Sequence, residues 1–229
     1  MENRTTPLHY CYAIFDLDGT LDNQMPNYTR AFVSVCKEKG IPEKGLAESY
    51  ANTAGTPLHQ QFRNVLGNNG TQSTVESAVT RFWQLVDKNE NPNLFPGARE
   101  LIRSFYTQGK QLYIITGTET SQAQRRLRKM DLQQYFTLIL GQSEGLEKGP
   151  QHLHRMQEQS QDTLFFSRAF YIGDGPADMR YAKEHGILAI GITNTLPAEK
   201  LKESGAEHII ERLEQVLPLL ERLELSNHK

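Results

Sequence analysis

Two rhythms of apolar residues divide this chain. Tyr12 to Leu17 is a short run of aromatic and branched residues, broken only by Asp16, and it predicts a buried strand. After Leu21 the spacing becomes helical. Pro26 opens a segment with Tyr28, Phe32 and Val35 on one face, closed by Gly40 and Pro42. Thr56-Pro57 predicts the N-cap and first position of a second helix, which carries Leu58, Phe62, Val65 and Leu66 and stops at Gly67. A third carries Val75, Val79, Phe82 and Val86, with a break expected at Asn91-Pro92. Residues 22–93 therefore predict helices and almost no strand.

From Phe95 onward strand and helix alternate. Leu101, Ile102 and Phe105 predict a helix ended by Gly109, and Leu112 to Ile115 a strand. The Arg-rich helix Glu119–Met130 and the strand Leu138–Leu140 follow, then a helix with Leu153 and Met156. Ala169–Ile172 is a predicted strand, Ala177–His185 a helix stopped by Gly186, and Ile187–Ile190 a strand. A helix around Leu201, a short strand at His208–Ile210 and a helix divided by Pro218 complete the pattern. Alternation of this kind predicts parallel βαβ units in an open, doubly wound α/β sheet. The predicted division is a core of residues 1–21 and 94–229 with an all-helical insert at 22–93. Sheets of this class bind ligands beyond the carboxyl ends of their strands, so the polar residues directly after each strand carry the candidate chemistry.

Composition narrows the partners. Charged residues make up 23% of the 229 and nearly cancel, to a net charge of −2, so neither nucleic acid nor an anionic membrane is an expected partner. The two cysteines, Cys11 and Cys36, form no CxxC pair and no disulfide framework. Residues 1–7 are polar, without the apolar stretch of a signal peptide, and no apolar run approaches the ~20 residues of a membrane span. A cytoplasmic protein is expected.

The first strand delivers Asp16 and Asp18, followed by Gly19, Thr20 and Leu21. Side chains two apart on a strand share a face, so both acids are expected to aim into one site. Two close carboxylates repel unless a cation or proton lies between them. Gly19 allows a sharp turn and close approach of backbone N–H groups to a ligand. After the 112–115 strand come Thr116, Gly117 and Thr118. A hydroxyl with backbone N–H groups at a helix start makes a phosphate cradle, and that is the reading of Thr116, whereas Thr118 reads as an ordinary N-cap. Lys148 precedes a helix whose positive N-terminus disfavours a cation, as expected of a lysine facing an anion. Asp174 stands at the mouth of the helix after the 169–172 strand, and Asp178 lies in its first turn, where the helix dipole alone would favour it.

Asp16-Leu17-Asp18-Gly19-Thr20, Thr116, Lys148 and Gly173-Asp174-Gly175-Pro176-Ala177-Asp178 occur in this order. In this the chain resembles the haloacid dehalogenase-like superfamily, whose four motifs are Asp-x-Asp-x-Thr, a Thr or Ser, a Lys and Gly-Asp-x-x-x-Asp. It departs in two places: Gly149 intervenes where a proline often follows the lysine, and Gly175 stands where many relatives carry Ser or Thr. The resemblance implies a Rossmann-like core with a helical cap inserted after the first strand. It also implies Mg²⁺-dependent hydrolysis of a small phosphorylated metabolite, with Asp16 as nucleophile and Asp18 as general acid and then base. Thr116 and Lys148 would hold phosphoryl oxygens, beside the backbone of Gly19, Thr20 and Gly117. Asp16, the backbone carbonyl of Asp18 and Asp174 would hold the metal, while Asp178 would orient a water or Lys148. Dehalogenases of the family carry Asp-x-Tyr instead, so Asp18 argues against that activity. A phosphomutase, which uses the same acid pair, and a phosphate-binding regulator without turnover are the alternatives. A receiver domain would lack the helical insert.

Other groups draw weaker expectations. His152 and His154 are two apart on a predicted helix and share no face. Arg125 to Lys129 reads as a solvated helix face, and Trp83 as core of the insert. Thr56, His59 and Arg63 share a helix face by i, i+3 and i+4 arithmetic, in a Gly-Thr-Pro-Leu context similar to phosphoglycolate phosphatase-like proteins. Their two readings, substrate contact and exposed amphipathic face, stand level.

Overall fold

Tyr12, Ala13, Ile14 and Phe15 form the central strand of a six-stranded sheet, and all four are buried. In the computed structural model the described residues are 10–53, 56–88, 93–143 and 145–226. The strands are β1 (Tyr12–Phe15), β2 (Gln111–Glu119), β3 (Leu138–Gln142), β4 (Ala169–Gly173), β5 (Leu188–Ile192) and β6 (His208–Ile210). All neighbours pair in parallel in the order β3-β2-β1-β4-β5-β6. The direction of winding reverses between β1 and β4, the position at which such sheets open a crevice.

Alternate residues of each strand feed opposite faces. Ala13, Phe15, Leu112, Ile114, Phe170 and Ile172 pack against α5 (Ala98–Thr107), α6 (Thr120–Lys129) and α10 (Val216–Ser226). Tyr12, Ile14, Tyr113, Ile115 and Tyr171 pack against α7 (Pro150–Ser160), α8 (Pro176–Glu184) and α9 (Ala198–Glu203). Coverage of both faces explains why the strands read as continuous apolar runs rather than alternating ones. Between β1 and α5 lie α1 (Met25–Glu38), α2 (Leu46–Asn52), α3 (Leu58–Leu66) and α4 (Gln72–Lys88). These helices bury a cluster of their own, in which Phe32 stacks on Phe62 with ring centroids 4.8 Å apart. The two segments that join the helices to the sheet run side by side. Asn23 N–H donates to the Asn93 carbonyl at 2.7 Å and Phe95 N–H to the Leu21 carbonyl at 2.9 Å. The break expected at Asn91-Pro92 lies outside the described residues.

The structure differs from the sequence reading at several boundaries. β1 ends at Phe15, although Asp16 N–H still donates to the Ile172 carbonyl at 2.9 Å. α2 was not anticipated, because only Leu46 and Tyr50 are buried and two apolar positions make a thin pattern. Pro57, with φ −55° and ψ 137°, is the N-cap of α3, while the Thr56 hydroxyl donates to the Thr53 carbonyl at 2.6 Å instead. β2 runs through Thr116, Gly117 and Thr118 to Glu119, with a register shift against β3 after Ile115. Thr118 is therefore a strand residue, and the N-cap of α6 is Glu119. β5 is displaced to Leu188–Ile192. Pro218 does not divide the last helix; it lies in the first turn of α10, where a missing N–H costs nothing. Cys11 and Cys36 form no disulfide, and no helix among the described residues is long and apolar enough to cross a membrane.

Candidate active site

The loops after β1, β3 and β4 bring three carboxylates and one ammonium together. Asp16 follows β1, Asp174 follows β4, and Asp178 rises from the first turn of α8. One oxygen from each of the three lies within 4.8 Å of the others. Lys148 Nζ stands 2.8 Å from Asp16 Oδ1 and 2.7 Å from Asp178 Oδ1, with the lysine 3% exposed. Gly149 is extended at φ 170° and leaves the lysine free to reach inward. Asp178 is further held by the Tyr171 hydroxyl at 2.7 Å and the Gly175 N–H at 3.1 Å. Asp174 accepts from Thr20 Oγ1 at 3.3 Å and from Thr195 Oγ1.

Gly19 has φ +85°, and a Cβ there would drive into the Asp174 carboxylate. Its N–H is not offered outward, since it donates to the Asp22 carbonyl at 2.9 Å. Gly19 and the Thr20 hydroxyl thus pack directly against the Asp174 carboxylate. Gly117 lines the cavity above Asp16, with open space over its Cα.

Asp16 and Asp18 line the same inner cavity, but Asp18 takes its partners from β2 and α6 rather than from the carboxylate cluster. The strand has already ended at Phe15, so the two side chains need not share neighbours. Asp18 Oδ1 takes a hydrogen bond from Arg126 Nη2, and its Oδ2 takes bonds from Thr118 Oγ1 at 2.7 Å and Thr116 Oγ1 at 3.1 Å. Arg126 is 2% exposed and also binds Asp22 Oδ2 through Nη2 at 2.6 Å and the Tyr28 hydroxyl through Nη1 at 2.5 Å. The reading of Arg125 to Lys129 as a solvated face fails at Arg126, and Leu127 beside it is buried as well. Arg126 falls on the same helix face as Ala123, Leu127 and Met130, all buried, and that spacing was the available signal. Asp22 and Tyr28 were missed for a related reason: each reads locally as a turn or core residue, and only the fold brings them to Arg126.

Electrostatics separate the two acids. Burial, then the charges of Asp178, Asp174 and Asp18, hold the Asp16 carboxyl well above the usual range, against the pull of Lys148. Asp174 is raised to about 6, by burial first and then by Asp178. For Asp174 a folded-state pKa above the unfolded one means that its ionised form costs stability as pH rises from about 4 to 6, and a bound cation would remove that cost. For Asp18, burial acts upward but is outweighed by the Arg126 guanidinium and the two threonine hydroxyls, which leave it below the usual range. Burial raises Asp22, which shares Arg126 with the Asp18 charge. Lys148 is raised because Asp16 and Asp178 together outweigh burial.

Arg126→Met should therefore destabilise the protein by about 3–5 kcal/mol in urea unfolding, since Asp18 and Asp22 would be left buried without their cation. Adding Asp22→Asn should recover part of the loss. Equal stability of Arg126→Met and the parent would refute the ion-pair reading.

Above the carboxylates a cavity of about 60 Å³ is roofed by Tyr28, Tyr50, Thr56, Gln61, Phe82 and Trp83 from the helical insert. Outside it a groove of about 1260 Å³ runs between the insert and the sheet, and Lys148 and Trp83 line both spaces. Of the three insert residues considered as substrate contacts, Thr56 reaches the inner cavity and His59 the outer groove. Arg63 is exposed and lines an adjoining depression that shares His59 and Glu147 with the groove. Trp83 is not simply core; it packs on Tyr28 and Phe82 and presents its other side to the cavity. His152 is buried with Nε2 3.0 Å from the Gly141 carbonyl, and His154 is exposed beside His185.

A sequence model described as haloacid dehalogenase-like hydrolase matches residues 13–192, which include Asp16, Asp18, Thr116, Lys148, Asp174 and Asp178. The chain belongs to that family. Curated relatives of the haloacid dehalogenase-like chain include the phosphoglycolate phosphatase of Pseudomonas syringae pv. tomato, 24% identical over 90% of this chain and 78% of that one. The probable phosphatase IndB of Dickeya dadantii is 26% identical over 89% of this chain and 90% of its own. A hydrolase of solved structure from Pseudomonas syringae superposes with a TM-score of 0.81 at 19% identity, covering 93% of this chain and 98% of that one. The protein is a haloacid dehalogenase-like hydrolase of the phosphatase kind, with a Rossmann-like sheet.

Proposed function

We propose that this chain hydrolyses a small phosphate monoester with Mg²⁺ through an aspartyl-phosphate on Asp16. The observation that carries the reading is the Asp16 carboxylate, buried at the tip of the central strand, fixed by Lys148 and crowded by Asp174 and Asp178. Attack by Asp16 Oδ on phosphorus would split one displacement into two easier ones. Lys148 would oppose charge on the transferring group, and Thr116 and Thr118 would keep Asp18 oriented toward the reacting oxygen.

Asp18 serves the second step best as it stands: an ionised carboxylate is the form that takes a proton from the attacking water. Protonating the departing alcohol in the first step requires that Asp18 first take up a proton and yield one Arg126 contact. Residues 22–93 would act as a cap over a core of 1–21 and 94–229, excluding bulk water while the phosphoryl group is held.

Asp16 and Asp174, with the Asp18 backbone carbonyl, would hold the metal. They are hard oxygen donors, and the raised pKa values of both carboxylates are what an unneutralised cation site would show. The ion supplies charge neutralisation and an oxygen-ligated template for phosphate. EDTA should silence the protein, Mg²⁺ should restore it, and Ca²⁺ should substitute poorly because of its longer bonds and higher coordination number. Undiminished activity in EDTA would refute the metal assignment. The covalent step is tested by acid-quenching a turning-over sample and mapping phosphate onto the peptide that holds Asp16. Turnover without any phosphorylated Asp16 would overturn it.

A further inference from the structure

Resting on the phosphatase reading, we propose that the leaving group is an uncharged, hydroxyl-rich alcohol of sugar size rather than a carboxylate-bearing one such as glycolate. The inner cavity of about 60 Å³ is small beside the groove of about 1260 Å³ beyond Trp83, so the bulk of a larger leaving group is placed in the groove. That groove is far larger than a two-carbon acid needs.

Charge gives the stronger argument. Among the described residues, Lys148 is the one Lys or Arg lining either space, and it is spent on Asp16 and Asp178. Arg126, behind the inner cavity, is spent on Asp18 and Asp22. The groove adds Glu119 and Glu147. A substrate carboxylate would leave water to meet Asp16 and Asp18 at one end and two glutamates at the other, with no cation to receive it. Such a charge is expensive to bury unpaired.

What the groove does offer is neutral. Gln124, Gln142, Ser143 and Gln151 present amides and a hydroxyl that both donate and accept, as a polyol requires. Trp83 lays an apolar ring beside them. His59 also lines the groove, and its Nδ1 is buried without a hydrogen-bond partner, which a substrate hydroxyl would satisfy.

The test compares kcat/KM, with Mg²⁺ and the full chain, for phosphoglycolate, 2-hydroxyethyl phosphate, a hexose 6-phosphate and p-nitrophenyl phosphate. The hexose phosphate should exceed phosphoglycolate by about a hundredfold or more, and 2-hydroxyethyl phosphate should exceed its size-matched acid. Phosphoglycolate equal to or better than both neutral esters would overturn the inference while leaving the phosphatase reading intact. Failure of every ester, p-nitrophenyl phosphate included, would overturn both. As a second arm, Gln124→Lys places a cation in the groove and should shift the phosphoglycolate-to-hexose phosphate ratio at least about tenfold toward the acid. An unchanged ratio would show that the groove does not hold the leaving group.

Discussion

Asp16→Asn should leave a folded protein with less than about a thousandth of the parent turnover, a loss of at least ~4 kcal/mol of barrier lowering. The amide keeps the shape of the carboxylate but cannot form an acyl-phosphate. Structure adds a second expectation that separates chemistry from folding. Burial and the neighbouring carboxylates hold the Asp16 carboxyl well above its usual range, so in the metal-free protein its ionised form is a source of strain. Replacing it with a neutral isostere removes one charge from the cluster and leaves Lys148 paired with Asp178 at 2.7 Å. The metal-free variant should therefore melt no lower than the parent, while its activity disappears. Retention of more than a thousandth of the rate would exclude Asp16 as the nucleophile. A large fall in melting temperature would mean that the carboxylate is structural.

Lys148→Ala should do the reverse and damage both properties. Turnover should fall on the order of a hundredfold or more, because the ammonium opposes the charge that moves between substrate and Asp16. Stability should fall by about 3–5 kcal/mol at pH 7, since three buried carboxylates lose their common cation. The deficit has a definite pH dependence. With the lysine gone, the folded-state pKa values of Asp16 and Asp174 rise further above their unfolded values. The loss is thus fully present at neutral pH and shrinks as pH falls and the cluster takes up protons. Mg²⁺ should relieve part of it at neutral pH. Lys148→Arg should rescue little, because a planar fork does not replace a point charge between two carboxylates 2.7–2.8 Å away. Turnover of Lys148→Ala within tenfold of the parent would remove the lysine from the mechanism.

The course of the chain was legible because its periodicities are clean. A four-residue central strand buried on both faces needs apolar side chains at every position, and Tyr12 to Phe15 supply them. Four strand ends carry the motif residues: those of β1, β3 and β4 meet at Asp16, and that of β2 meets Asp18. What the sequence could not show is where a side chain turns once regular structure stops. Asp16 and Asp18 look equivalent in one dimension. Beyond Phe15 the alternation lapses, so one acid meets Lys148 and the other Arg126. In sequence the Thr118 hydroxyl reads as an ordinary helix cap. Here the register shift after Ile115 carries β2 through Gly117. Arg126 was read by its type rather than its position, although three partners, Asp18, Asp22 and Tyr28, wait for it at the ends of other elements.

The side-by-side crossings of the insert bear on how the chain folds. The centre of the sheet is built from contacts remote in sequence: Phe15 pairs with Ile114 on one side and Ile172 on the other. Non-local pairing of this kind is slow, because the entropy of closing a long loop must be met before any contact repays it. The insert collapses on a cluster of its own, and the bridge of Asp22 to Leu94 holds its two ends together. Once those helices have condensed, the residues between β1 and α5 no longer behave as open chain. Leu21 and Phe95 become neighbours, and the search that joins β1 to β2 is left with only the helix α5 and its turns to span. The helices that roof the cavity are thereby also a clasp, which brings the ends of a topologically distant pairing close together.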